Sequence, residues 1–218
     1  MSVISIEDYE LPYDTHNLYD VNFYTTKIHT LVTHTPSLVD SWISQTLSLH
    51  TQSSPSSPLL IGLDIEWRPN RAAHHDNPAA TLQLAVHRRC LIFQLLHAPS
   101  IPQSLLDFLS NPAHTFVGVK IHEDVEKLTG DYGLTVANAV DLAALAAEAY
   151  GERELRRAGL AILARRVLGL EVAKPKRVTM SRWDSEFLYP NQVQYACIDA
   201  FVSFEVGRTL NAAGTSAS

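Results

Sequence analysis

Leu59-Leu60-Ile61-Gly62-Leu63-Asp64-Ile65-Glu66-Trp67 is the stretch on which the rest of the chain is read. It opens as an apolar run, the pattern of a strand buried on both faces in the middle of a sheet. Asp64 and Glu66 then follow, with Ile65 between them. Side chains alternate across a strand, so the two carboxylates share one face. Unpaired charge in a dry interior is very costly, and neighbouring like charges raise each other's pKa. Exposure in a cleft, a basic partner or a divalent cation resolves that conflict. Open α/β sheets place their ligands beyond the carboxyl ends of their strands, where this pair lies. A metal site is the expectation.

Outward from this strand, the chain reads as one α/β domain over residues 21–210. Residues 1–20 are polar and aromatic without a period, so a loose arm is expected. Val21 to Thr33 is rich in β-branched and aromatic residues and reads as a strand or strand pair. Pro36 opens a helix with Leu38, Trp42, Ile43 and Leu47 on one face, and His50 to Pro58 reads as a low-complexity surface loop. Beyond Trp67 come a loop to Pro78 and two strands, Ala80 to Val86 and Cys90 to Leu96, about a His87-Arg88-Arg89 turn. A helix over 102–109, a buried strand over 115–119 and a helix over 122–129 follow. The remainder reads as helices over 139–150, 155–168 and 191–210, with a basic loop between Glu171 and Trp183 and a flexible tail over 211–218. The expected architecture is a mixed sheet of about five or six strands with helices on both faces.

Bulk properties bound the function. The chain has 218 residues, 46% hydrophobic and 18% charged, which is globular composition, and no apolar run approaches a membrane span. Met1 to Asp8 has neither the basic start nor the apolar core of a secretory signal. Cys90 and Cys197 form no CxxC pair and read as reduced, buried thiols. Cytoplasm or nucleus is the expected compartment. A net charge of −6 argues against a uniformly basic duplex-binding surface, though not against a local groove.

Two further segments carry acids in telling places. Asp124 follows the strand around Phe116–Val119 and sits in the first turn of the next helix, where an acid also suits the helix dipole. Tyr195 and Asp199 are four apart and share a helix face, in the apolar surroundings of Val193, Ala196, Ile198 and Phe201. An Asp there needs a partner, either an Arg or a metal. Asp64, Glu66, Asp124 and Asp199 together make an oxygen-rich set that suits Mg²⁺ or Mn²⁺ better than Zn²⁺. The histidines, His74-His75 among them, show no ligand spacing. Neither GxxxxGK[ST], GxGxxG nor a nucleophile elbow is present.

Asp64-Ile65-Glu66, then Val117 to Asp124 with Lys127-Leu128, then Tyr195 to Ala200 resemble the three motifs of the DEDDy 3′–5′ exonucleases. Within that group the chain is most similar to the Werner-syndrome exonuclease domain and its small plant relatives, such as the RISC-interacting clearing exoribonucleases. The resemblance covers about Leu59 to Leu210. It implies a ribonuclease-H-like fold and two-metal phosphodiester hydrolysis with release of 5′-mononucleotides. Asp64 would then bridge both ions, Glu66 and Asp199 would hold the one that activates water, Asp124 the second, and Tyr195 would orient the water. The resemblance also implies single-stranded nucleic acid as substrate, small RNA favoured, and a homo-oligomer, hexameric in the short plant relatives. Lys120, Arg156, Arg157, Lys174, Lys176, Arg177 and Arg182 are together candidates for a backbone-tracking groove, and Trp67 for base stacking. The rival expectation is a non-catalytic nucleic-acid-binding or interaction module that retains the acids. A third is a structural domain whose acids are salt-bridged.

Overall fold

The chain begins with three antiparallel strands, β1 (Ile4–Tyr9), β2 (His16–Phe23) and β3 (Thr26–Thr33), in a computed structural model that describes residues 4–12, 14–53, 57–70 and 76–212. Helix α1 (Pro36–Ser53) leads to the central strand β4 (Leu59–Glu66). Next come β5 (Thr81–Val86), β6 (Arg89–Phe93), α2 (Gln103–Ser110), β7 (His114–Gly118) and α3 (Ile121–Tyr132). A three-residue strand β8 (Ala139–Asp141) precedes α4 (Leu142–Tyr150) and the short α5 (Leu160–Leu163) and α6 (Lys176–Thr179). The chain then forms the long α7 (Pro190–Thr209).

Among the described residues all eight strands join one sheet in the order β1-β2-β3-β6-β5-β4-β7-β8. The β3–β6, β4–β7 and β7–β8 pairs are parallel and the others antiparallel. Alternation along β4 divides the core. Ile61, Leu63 and Ile65 pack with α1, α2 and α3, whereas Leu60 packs with α4 and α7 on the opposite face. Helix α7 is buried on nearly every side, as befits an element lying across the middle of a sheet. No helix of the described residues is long and apolar enough to cross a membrane.

Four expectations need correction. Residues 4–9 and 16–23 are paired strands, so the arm expected over 1–20 is largely sheet. Its polar look hid a buried acid. Asp20 is 2% exposed, accepts from Tyr9 Oη at 2.6 Å and pairs with Lys27 Nζ at 2.8 Å, with His29 Nδ1 2.7 Å away. Burial would raise its carboxyl, but Lys27, Tyr9 and His29 outweigh burial and hold it below the usual range. The hairpin and the short β8 raise the strand number to eight. The single helix expected over 155–168 is instead a 3₁₀ turn at Arg153–Arg157, then α5, then a π turn at Ala164–Leu168, because Gly159 begins a new helix rather than continuing one. Helix α1 also runs to Ser53, into the expected loop, its last turn reinforced by the Thr51 and Ser53 hydroxyls bonded to the carbonyls of Leu47 and Leu49. His74, His75 and residues 213–218 of the expected tail lie outside the described residues.

Candidate active site

Gly62 sets the geometry. A Cβ built there would lie 2.0 Å from the Ala200 carbonyl oxygen and 2.7 Å from the Phe204 nitrogen. Only glycine lets the α7 backbone settle directly on β4. Asp64 and Glu66 follow Gly62 on the same face, so the close approach brings Asp199, the neighbour of Ala200, down beside them. Asp199 is 3% exposed. Its Oδ2 accepts from Lys174 Nζ at 2.9 Å, while its Oδ1 is buried with no hydrogen-bond partner among the described residues. Tyr195 lies one turn earlier on α7, its ring 6.2 Å from that of Trp183 and 5.8 Å from Lys174 Nζ.

Asp124 comes from the opposite layer. Lys120 takes a left-handed backbone, φ +59°, and its N–H donates to Asp141 Oδ2 at 2.6 Å. That turn starts α3 just past the end of β7 and puts Asp124 in the first helical turn.

The electrostatics show that these groups crowd one another. Burial, then the charges of Asp199, Glu66 and Asp124, raises the Asp64 carboxyl well above its ordinary range. Burial and Asp199 push Glu66 up to about 8. Burial, with Glu123, pushes Asp124 up to about 7. The Tyr195 hydroxyl is raised by burial and by Asp199, so it stays protonated. Burial would weaken the Lys174 ammonium, but Asp199, Asp64 and Glu66 outweigh burial and strengthen it.

A crevice of about 140 Å³ opens here, lined by Tyr195, Asp199, Asn191 and Arg177, with Ile4 and Phe23 contributed by the N-terminal hairpin. Of the other sequence-predicted residues, Lys176 is exposed at the start of α6. Lys120 Nζ pairs with Glu123 at 3.1 Å, and the Arg182 guanidinium with Asp184 at 3.3 Å. Trp67 is partly buried against the α1–α3 side of the core, with Lys127 Nζ 5.4 Å from its ring centre.

Sequence reading missed two features. The Lys174–Asp199 pair joins residues 25 apart through a loop with no period. On β5, Gln83 stands opposite Asp64 and Thr81 opposite Glu66, both fully buried, and Gln83 Oε1 has no hydrogen-bond partner among the described residues. Two polar residues at period two within Thr81-Leu82-Gln83-Leu84-Ala85-Val86 were the available signal.

The donors suit a hard divalent cation. They are carboxylates, they crowd one another, and Asp199 Oδ1 lacks a partner. Among the described residues no three such groups gather tightly enough to hold an ion as they stand. The ammonium of Lys174 neutralises Asp199 instead.

Mixed sheet, flanking helices and strand-end acids define the ribonuclease-H-like class, and the solved structure of Escherichia coli RNase D matches this fold with a TM-score of 0.69 at 18% identity, covering 85% of this chain and 45% of that one. A family model described as 3′-5′ exonuclease matches residues 32–213. The chain belongs to the 3′–5′ exonuclease family. An Arabidopsis thaliana protein named 3′-5′ exonuclease is 34% identical over 164 residues, 74% of this chain and 56% of that protein. A Drosophila melanogaster protein named Exonuclease 3′-5′ domain-containing protein 2 is 34% identical over 170 residues, 78% of this chain and 27% of that protein. The chain thus spans only part of the length of these curated relatives.

Proposed function

We propose that the sheet and its helices, the β1–β2 hairpin included, form a single exonuclease domain that hydrolyses single-stranded nucleic acid from the 3′ end, RNA in preference to DNA, and releases 5′-mononucleotides. The observation that carries this reading is the crowding of acids from β4, α3 and α7, which raises the proton affinity of Asp64, Glu66 and Asp124, with Asp199 and Tyr195 lining a crevice beside them. Family membership supports it. Asp64, Glu66, Asp124 and Asp199 would hold two Mg²⁺ or Mn²⁺ ions. Bound there, such ions activate water and neutralise the leaving oxygen. The Tyr195 hydroxyl, kept protonated by burial, accepts a hydrogen bond from the attacking water and fixes its direction. Arg177 beside the crevice and Lys176 next to it take strand phosphates, with Lys120 and Arg182 further out. Trp67, packed and covered by Lys127, supports the end of β4, and terminal-base stacking is its weaker role. The homohexamer implied by resemblance is part of the proposal, with the exposed Ile4, Tyr9 and Leu18 of the hairpin as apolar contact surface. Sedimentation reads that state.

The binding-module reading draws on one observation. Asp199 already has a protein cation in Lys174. One experiment separates the two. 5′-Labelled single strands of RNA and DNA are incubated with Mg²⁺, Mn²⁺ or EDTA, beside the double variant Asp64→Ala/Glu66→Ala. The enzyme gives a ladder shortened from the 3′ end, only with metal and only in wild type. Absence of a ladder from folded protein with both metals defeats the enzyme reading and leaves the binding module.

A further inference from the structure

The feature that the sequence motifs do not account for is Lys174. Its Nζ lies 2.9 Å from Asp199 Oδ2 and 5.8 Å from the Tyr195 ring centre, at the heart of the acidic cluster. The two partners differ in freedom. The Asp199 side chain is 4% exposed and rides on α7, which Gly62 lets settle on the central strand; the Lys174 side chain is 42% exposed. The acceptor is fixed and the donor can swing away.

The backbone around Lys174 fits that difference. Glu171 is held by Tyr24, whose hydroxyl accepts from its N–H at 2.9 Å and donates to its carbonyl at 3.2 Å. Val178, within α6, is buried. Between these two anchors Ala173, Lys174, Pro175, Lys176 and Arg177 are all exposed, and residues 169–175 belong to no helix or strand. The strap carries three cations past a crevice that Arg177 also lines. One ammonium also satisfies only part of Asp199, since Oδ1 keeps no partner.

Building on the exonuclease reading, we infer that Lys174 is a tethered cation that holds Asp199 in the metal-free protein and is exchanged for a divalent ion on loading, which frees it to contact a strand phosphate. Lys174 is then a positioning residue with two alternative partners. Metal uptake and strand binding favour the same arm-out state, so each strengthens the other, as linkage requires. A lysine suits the task, because it is a compact point charge on a long stem with no fixed fork geometry to break.

The test is titration with MnCl₂ alone, followed by calorimetry, on wild type, Lys174→Gln and Lys174→Arg, with folding checked by circular dichroism. Lys174→Gln removes the competitor and is expected to bind Mn²⁺ roughly five- to tenfold more tightly, the strength of a half-exposed ion pair. Lys174→Arg keeps the cation and adds a fork that grips the carboxylate, so it binds Mn²⁺ no more tightly than wild type. At saturating Mn²⁺, Lys174→Gln is expected to raise KM for a single strand about threefold or more. It also makes the logarithmic salt dependence of kcat/KM shallower by about 0.7, the value of one phosphate contact on a single strand. A purely structural lysine moves neither the metal affinity upward nor the salt slope. Mn²⁺ affinity that is unchanged or weaker in folded Lys174→Gln overturns the inference while leaving the exonuclease reading intact. A wild type that takes up no Mn²⁺ overturns both.

Discussion

At the residue scale, Glu66 carries a proton at pH values where a free glutamate has lost it, being pushed up from 4.5 to about 8 by burial and by Asp199. A pKa raised on folding makes a contribution that is fully present below the unfolded value and is lost as pH rises through the folded one. Metal-free protein is therefore expected to lose stability steadily between about pH 4.5 and 8, with Asp124 acting in the same sense from 3.8 to about 7. Glu66→Gln removes the ionisation and should stabilise the metal-free protein at pH 8 by on the order of 2 kcal/mol while abolishing the metal-dependent reaction. Urea unfolding in EDTA at pH 5 and pH 8 reads this, and a variant less stable than wild type at pH 8 contradicts it. Asp64, Glu66 and Asp199 were legible because each interrupts an apolar segment where charge needs a reason, and Asp124 because it follows the end of a buried strand. Lys174 was not, since a lysine in a Pro-rich basic loop carries no sign of the residue it will meet.

At the element scale, the packing of α7 on β4 rests on the missing Cβ of residue 62. Gly62→Ala puts a methyl 2.0 Å from the Ala200 carbonyl. Backbone cannot yield as a side-chain tip does, so α7 has to lift, with a loss of about 3 kcal/mol or more. Asp199 moves with it. The expected outcome is a lower urea midpoint together with weaker Mn²⁺ binding, whereas unchanged values for both would show that the helix can slide without disturbing the acids. Strands β4 to β7 were readable because buried strands are apolar along most of their length. The hairpin of β1 and β2 was not, because Asp20 is at home only once Lys27, His29 and Tyr9 surround it, and cross-strand partners cannot be seen along a single strand. The interrupted stretch after Arg153 looked periodic for the same kind of reason: period fixes a face, while Gly159 fixes where one turn type ends and another begins.

At the scale of the whole molecule, the metal binding proposed for the acid cluster would make folding and ion uptake a single equilibrium. An ion that binds only the folded chain stabilises it by about 2.7 kcal/mol at one hundred times its Kd. For a chain of this size that corresponds to a rise in Tm of roughly 5–10 °C. Mg²⁺ or Mn²⁺ should produce the rise in wild type, EDTA should reverse it, and Asp64→Ala should not respond. A wild-type Tm indifferent to both ions tells against a metal centre. The register of β4 against α7 also has a consequence in time. Asp64 and Asp199 stand side by side yet are separated by most of the chain, with β5, β6, β7 and α3 emerging between them during synthesis. Contacts of such long separation form late. A polypeptide still on the ribosome, and stopped anywhere before residue 199, displays the β4 acids to the surrounding RNA without the helix that completes them, so the cutting capacity proposed here arrives only after the rest of the sheet is built.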